Sequence, residues 1–253
     1  LESHEIDVLY GALNGVEGLM DERLVNLTDI FDHNEENLNV LKLTPAMYLG
    51  SCRRKLKDVD QDSSEYDIII NIFRKYHIHY FFYIGGNDSM DTVGKMSRYV
   101  KEHQMDVKVI GIPKTIDNDL VVTDHTPGFG SAARYVAASV LEMAHDTYIY
   151  NTKSVLIAEI MGRDAGWLTA ASVLARNSYS RAPHLIYLPE HPFSKEQFIE
   201  DIKAQFKQRE HIVIAVSEGL RDADGHYISA ETAAVDAFGH ATLSGTGKCL
   251  EGL

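Results

Sequence analysis

Apolar residues recur along this chain in two alternating rhythms. Short runs with little polar interruption, "VKVIGIP" (107–113), "SVLIAEIMG" (154–162), "HLIYLPE" (184–190) and "HIVIAVSEG" (211–219), predict strands, as does "IDVLYGA" (6–12). "HYFFYIGG" (79–86) predicts a buried strand ending in glycines. Between these runs the apolar positions fall every three or four residues, which predicts amphipathic helices over "YDIIINIFRKY" (66–76), "SMDTVGKMSRYVKEH" (89–103) and "SAARYVAASVLEMAHDTYIY" (131–150). Two more are predicted over "GWLTAASVLARN" (166–177) and "SKEQFIEDIKAQFKQR" (194–209). Strand and helix in alternation imply right-handed crossovers, so the predicted fold class is α/β, with parallel sheets and helices on both faces. "TPGFG" (126–130) interrupts this order and places a lobe boundary between residues 1–127 and 128–253. "KDVDQDSS" (57–64), the most polar stretch, reads as a solvated loop before a helix.

Composition narrows the possible partners. The chain has 253 residues, 45% hydrophobic and 24% charged, enough for a substantial core in two lobes. Its 24 Lys and Arg stand against 37 Asp and Glu, a formal net charge of -13, which opposes non-specific binding to nucleic acid or an acidic membrane. An anionic ligand therefore needs a local site. Cys52 and Cys249 are too few for a disulfide framework and lack CxxC spacing, so a reducing cytosol is the expected compartment. No apolar stretch approaches the ~18 residues of a membrane span, and "LESHEID" lacks the pattern of a signal peptide.

Ligands of open parallel sheets collect beyond the carboxyl ends of the strands, and four such ends carry candidate chemistry. In "YIGGNDSMD", Gly85 and Gly86 leave room for a ligand near backbone, and a helix beginning near Asp88 or Ser89 would aim free amides at a phosphate; a plain N-cap is the alternative. In "GIPKTIDNDL" (111–120), Asp117 can accept a hydroxyl proton and Lys114 offers a positive charge to an anion in transfer. Asn118 and Asp119 suit hydrogen bonds to the loop's own backbone, so a capped loop is the competing reading. In "AEIMGRDAGWLTAA", Gly162 permits a tight exit, Arg163 can fork onto phosphate or sugar hydroxyls or pair with Asp164, and Gly166 lets the next helix pack closely. In "AVSEGL", Glu218 either accepts polyol hydroxyls or is a solvated strand end.

Two lookalikes fail on context. "GFGSAA" (128–133) follows a polar loop where a dinucleotide fingerprint requires a strand. "LSGTGKC" (243–249) has Thr242 where a phosphate loop begins with glycine, and Cys249 replaces its hydroxyl residue. The 12 histidines show no HExxH or similar metal spacing.

Together the ends "GGNDS", "PKTIDND", "MGRDAGW" and "SEG", with "NGVEGL" (14–19), "LGSCRRKL" (49–56), "TDHTPGFGSAARY" (123–135) and "LPEHPF" (188–193), resemble the phosphofructokinases. Lys114 with Asp88 is similar to the diphosphate-dependent branch of that family. The resemblance implies two Rossmann-like lobes, the first for the phosphoryl donor and the second for the sugar phosphate. It implies phosphoryl transfer from diphosphate to the 1-hydroxyl of fructose 6-phosphate, a reversible step of glycolysis, with Mg2+ bridging the phosphates. On that resemblance Asp117 is the general base, and Thr115 and Ile116 belong to the same substrate-contacting segment. Lys114 reaches the donor phosphates and Asp88 fills space that a nucleotide needs. Met161, Gly162 and Arg163 grip fructose 6-phosphate, Glu218 hydrogen-bonds the sugar, and Arg53 contacts the transferring phosphate. A lysine near Asp117 is expected to lower its pKa.

Three departures from the family pattern stand out. Asn87, a neutral ligand, holds the magnesium-contacting position. Ser154, preceded by Lys153, stands where the family commonly presents an arginine from a neighbouring subunit; the shared sites imply a homo-oligomer, dimer or tetramer. The chain is also expected to lack the family's opening strand and closing segment, which leaves the fold incomplete, a sheet edge exposed and activity weak or absent. Other readings are an ATP-dependent phosphofructokinase, a non-catalytic regulatory subunit that binds sugar phosphate, and, on the α/β alternation alone, a nicotinamide-dependent oxidoreductase.

Overall fold

The structure, a computed structural model, describes residues 6–229 and 245–253, so Leu243 and Ser244 of "LSGTGKC" lie outside the described residues. The chain divides into two compact units, Leu1–Pro113 and Lys114–Leu253. The division comes earlier than the 127/128 boundary expected from the "TPGFG" interruption. Ile116 explains why: it packs on Ile160 and Leu168 of the second unit, which draws its segment there.

The first unit runs β1 (Tyr10–Ala12), α1 (Gly15–Met20), β2 (Leu24–Asn26), α2 (Leu27–Phe31), α3 (Glu35–Leu43), α4 (Ser64–Lys75), β3 (Tyr80–Gly85), α5 (Asn87–Glu102) and β4 (Lys108–Pro113). β3 and β4 are parallel, in register from Tyr80 opposite Lys108 to Gly85 opposite Pro113. Phe81, Tyr83 and Val109 pack onto a core of Ile69, Phe73, Met96 and Tyr99 from α4 and α5. Tyr80, Phe82 and Ile84 on the other face are exposed, so β3 alternates where its apolar sequence predicts burial throughout. β1 is shorter than the predicted 6–12 strand and pairs antiparallel with β2, Tyr10 opposite Asn26, so the first unit is not wholly parallel. Asn14, at φ 60, turns the chain into α1 directly after β1 and ends the extended run.

The second unit runs α6 (Phe129–Thr147), β5 (Ser154–Ile160), α7 (Trp167–Ala171), β6 (Leu185–Tyr187), α8 (Lys195–Phe206), β7 (His211–Ser217) and α9 (Thr246–Glu251). A 3-10 turn, Ser172–Ala175, follows α7, so the helix predicted over 166–177 is split in two. The three strands are parallel in the order β5-β7-β6. Central β7 is buried from Ile212 to Ser217, as a parallel strand covered on both sides must be. Ile212, Ile214 and Val216 meet Phe198 of α8 and Leu250 of α9 on one face. On the opposite face Val213 meets Val140 and Ala144 of α6, and Ala215 meets Leu168 of α7. Helices therefore cover both faces. Among the described residues no helix is long and apolar enough to cross a membrane.

Candidate active site

The parallel order of the second unit brings the exits of β5 and β7 to one edge, because Ile160 is paired with Ser217 at the last rung. Beyond that rung the two exits are stitched together. Glu218 N donates to the Ile160 carbonyl at 2.9 Å, and Gly162 N donates to Glu218 Oε1 at 3.1 Å. The buried Ser217 hydroxyl donates to the Gly162 carbonyl at 2.6 Å and accepts from Gly219 N at 3.1 Å. Gly162 has φ +137, where a Cβ would lie 2.5 Å from the Ala165 carbonyl oxygen. A Cβ on Gly219 would lie 1.8 Å from the Arg163 carbonyl oxygen. Gly166 N donates to Glu190 Oε1 at 2.7 Å, which ties the far end of the Arg163 turn to the chain beyond β6. These bonds fix the backbone that carries Met161, Gly162 and Arg163, while the Met161 side chain itself is exposed.

The "KTIDND" segment belongs to the same unit. Asp117 N donates to Thr115 Oγ1 at 3.0 Å, and Ile116 is partly buried against the β5 exit. Asp117 is half-buried, and its Oδ1 is enclosed with no hydrogen-bond partner. An enclosed acceptor without a donor costs about 1–3 kcal/mol, a penalty that a proton or a ligand hydroxyl would relieve.

The electrostatics of this cluster differ from the sequence expectation. Burial pushes the Asp117 carboxyl above its ordinary value, and the neighbouring Asp119 adds to the rise. Arg163 and Lys114 pull in the other direction and do not win, so the expected lowering by lysine is overturned; Lys114 is exposed, which lets water screen its charge. Glu218 is also raised, chiefly by burial; the Gly162 N–H and Arg163 oppose the rise and the Asp117 charge reinforces it. Asp117, Arg163 and Glu218 thus form one interacting set. The Arg163–Asp164 pair considered from sequence is absent: Asp164 accepts from the Arg221 guanidinium and from the Tyr227 hydroxyl, and Arg221 lies 4.3 Å from the Tyr227 ring centroid. Among the described residues Arg163 makes no ion pair.

In the first unit α5 begins at Asn87, capped by the Gly86 backbone with no side-chain cap, so neither Asp88 nor Ser89 is the N-cap. Close approach is built in here, since a Cβ on Gly85 would lie 2.1 Å from Ser89 Oγ. Asp88, in the first turn, pairs with Lys55 at 3.5 Å. Arg54 is engaged with Glu65, whereas the exposed Arg53 makes no ion pair among the described residues. Asn87 is exposed and makes no side-chain hydrogen bond among the described residues. Lys153 lies at the start of β5, away from the Met161 end, with its Nζ 5.5 Å from the Phe206 ring centroid; Ser154 Oγ is 3.0 Å from His211 Nδ1.

The sequence did not single out Lys55, Glu190 or Ser217. Ser217 precedes the Glu218 that strand-end reasoning found, but its buried link to Gly162 spans 55 positions and leaves no local signal.

Acidic and basic side chains at the exits of a doubly covered parallel sheet define the open α/β class that takes ligands at strand ends. Within that class, the chain belongs to the phosphofructokinase family: the model described as Phosphofructokinase matches residues 1–251. The pyrophosphate–fructose 6-phosphate 1-phosphotransferase of Rhodospirillum rubrum is 43% identical over 245 residues, 96% of this chain and 58% of that protein. The Halomonas elongata protein of the same name is 39% identical over 250 residues, 98% of this chain and 59% of that protein. The crystal structure of a pyrophosphate-dependent phosphofructokinase from Nitrosospira multiformis superposes with a TM-score of 0.77 at 36% identity, covering 88% of this chain and 55% of that one. The chain therefore spans less than two thirds of the length of these relatives.

Proposed function

We propose that the protein carrying this chain transfers a phosphoryl group from diphosphate to the 1-hydroxyl of fructose 6-phosphate, giving fructose 1,6-bisphosphate and phosphate. The observation that carries the reading is Asp117: an enclosed, unpartnered carboxylate oxygen in one charge cluster with Arg163 and Glu218. As the new O–P bond forms and the bridging P–O bond breaks, Asp117 takes the acceptor's proton. Arg163 is suited to the sugar phosphate and Glu218 to its hydroxyls. Thr115, Ile116, Met161 and Gly162 shape the acceptor pocket. Lys114, Asp88 and Arg53 are assigned to the donor, on the names of the relatives and the family resemblance. We propose residues 1–113 as the part that carries most of the donor-binding residues, Asp88 and Arg53 among them, and 114–253, which opens on Lys114, as the part that carries the sugar-phosphate residues.

Mg2+ is the proposed cofactor, and Asn87 would offer it an amide oxygen. An exposed neutral ligand suits an ion that keeps most of its coordination for phosphates and water, and when bound the ion supplies positive charge against the phosphate oxygens. The described residues gather Asp222, Asp224 and His226 within 4.8 Å elsewhere, on the turn after β7. A homo-oligomer in the cytoplasm completes the proposal, the compartment resting on two free cysteines.

The test is a coupled assay for fructose 1,6-bisphosphate with either donor. Turnover with diphosphate and none with ATP is expected; turnover with ATP alone sinks the donor assignment. A raised Asp117 pKa also predicts that kcat falls as pH drops through that value, because the base is then protonated.

A further inference from the structure

We propose that Asn118 is a positioning residue for Asp117, its buried amide closing the loop to residue 126 from within and so holding the adjacent carboxylate in its enclosed setting. The catalytic consequence rests on the reading of Asp117 as general base; the structural claim does not.

Asn118 is 7% exposed and adopts φ 60, a left-handed conformation that few residues other than glycine take, asparagine being among them. Both ends of its amide are used across the loop: Nδ2 donates to the Asp124 carbonyl at 3.1 Å, and Oδ1 accepts from Thr126 N at 2.9 Å. Among the described residues no hydrogen bond other than those of Asn118 ties residues 119–125 to the rest of the chain. Its tip carries Val121 at 88% and Val122 at 105% exposure, so apolar packing does not hold it. The Thr123 hydroxyl bonds only to the Val121 carbonyl within the loop. The next residue in sequence before this clip is Asp117, whose Oδ1 is shut away from water.

Asp117 is faced by Lys114 and Asp119 from its own segment, Arg163 and Asp164 from the β5 exit, and Glu218 from the β7 exit. Among these influences burial is the largest, and part of it is assigned to the closed loop. Releasing the clip admits water while leaving every charged neighbour in the sequence.

The direct test titrates the Asp117 carboxyl carbon by NMR in the 253-residue chain and in Asn118→Gly, a change that keeps the left-handed backbone accessible. The midpoint is expected to fall toward the ordinary carboxylate value in Asn118→Gly and to stay unchanged in Val122→Gly, which relieves the left-handed backbone of the tip, φ 57, and spares the clip. An unchanged midpoint in Asn118→Gly, or an equal fall in Val122→Gly, overturns the proposal. Should Asn118→Gly not fold, hydrogen exchange of the unaltered chain decides: the Thr126 amide should exchange at least about tenfold more slowly than in an unstructured peptide, and unprotected exchange overturns the proposal. In the active protein, Asn118→Gly should lower kcat about tenfold or more with the sugar-phosphate KM nearly unchanged, and move the acid limb to lower pH. If Asp117→Asn leaves turnover intact, the general-base reading fails, while titration and exchange still decide the clip.

Discussion

The Asp117–Arg163–Glu218 cluster and the Asn87–Asp88–Arg53 group belong to one proposed reaction yet are built in opposite ways. In the cluster two carboxyls are half-buried and raised, and the surrounding backbone is bonded rung by rung to Ser217, Glu218 and Glu190. In the other group Asn87 and Arg53 face solvent, and Asp88 pairs with the exposed Lys55 at 3.5 Å. The difference follows from what each has to do. A proton acceptor gains from a dry, fixed setting that tunes its basicity, whereas groups assigned to a polyanion and its metal must exchange water for ligand.

The sharpest way to break this contrast is to compare Asp117→Asn with Asp88→Asn in steady-state kinetics. Asp117→Asn should lower kcat by roughly 10²–10⁴-fold with little change in sugar-phosphate KM, and Asp88→Asn should act mainly on the diphosphate KM. Equal losses of kcat would erase the distinction.

A smaller effect concerns the rigidity of the two places. Gly219→Ala drives a Cβ into the Arg163 carbonyl and should destabilise the chain by about 1–3 kcal/mol on a denaturant curve. A loss near zero would mean that the β7 exit is not a rigid frame.

Smaller again is the dependence of stability on pH. A carboxyl whose folded pKa is raised keeps its proton where the unfolded chain has lost it. Folding is therefore favoured at low pH, and that favour is lost as pH rises from the unfolded value through the raised one. Asp117→Asn should accordingly raise stability at pH 7 by roughly 0.5–2 kcal/mol and much less at pH 4. The smallest effect is assigned to Lys55→Ala, a loss of about 0.2–1 kcal/mol that shrinks with added salt, as for any exposed pair.

Long periodic segments were legible in the sequence because their neighbours enforce the same period: α5, α6, α8, β5 and β7 lie where the apolar spacing placed them. β2, α1 and α2 were not, since segments of three to six residues are too short to display a period. Strand-end logic found Asp117, Arg163 and Glu218 as separate candidates. What joins them, and the sign of the Asp117 shift, depends on burial by residues distant in sequence, just as Asp164 chose Arg221 over its neighbour Arg163. The exposed face of β3 was hidden for a different reason: Tyr80, Phe82 and Ile84 are as apolar as the residues that alternate with them.

Pro113, opposite Gly85 at the final rung of β3 and β4, has no amide hydrogen to extend the ladder. Adding one residue inside β4 would swap the faces of its side chains, turning the exposed Ile110 and Ile112 toward the α4–α5 core and Val109 away from it. An insertion in β4 therefore breaks the register that the first unit is built on, whereas one in 57–63, which lies in no helix or strand, leaves that register intact.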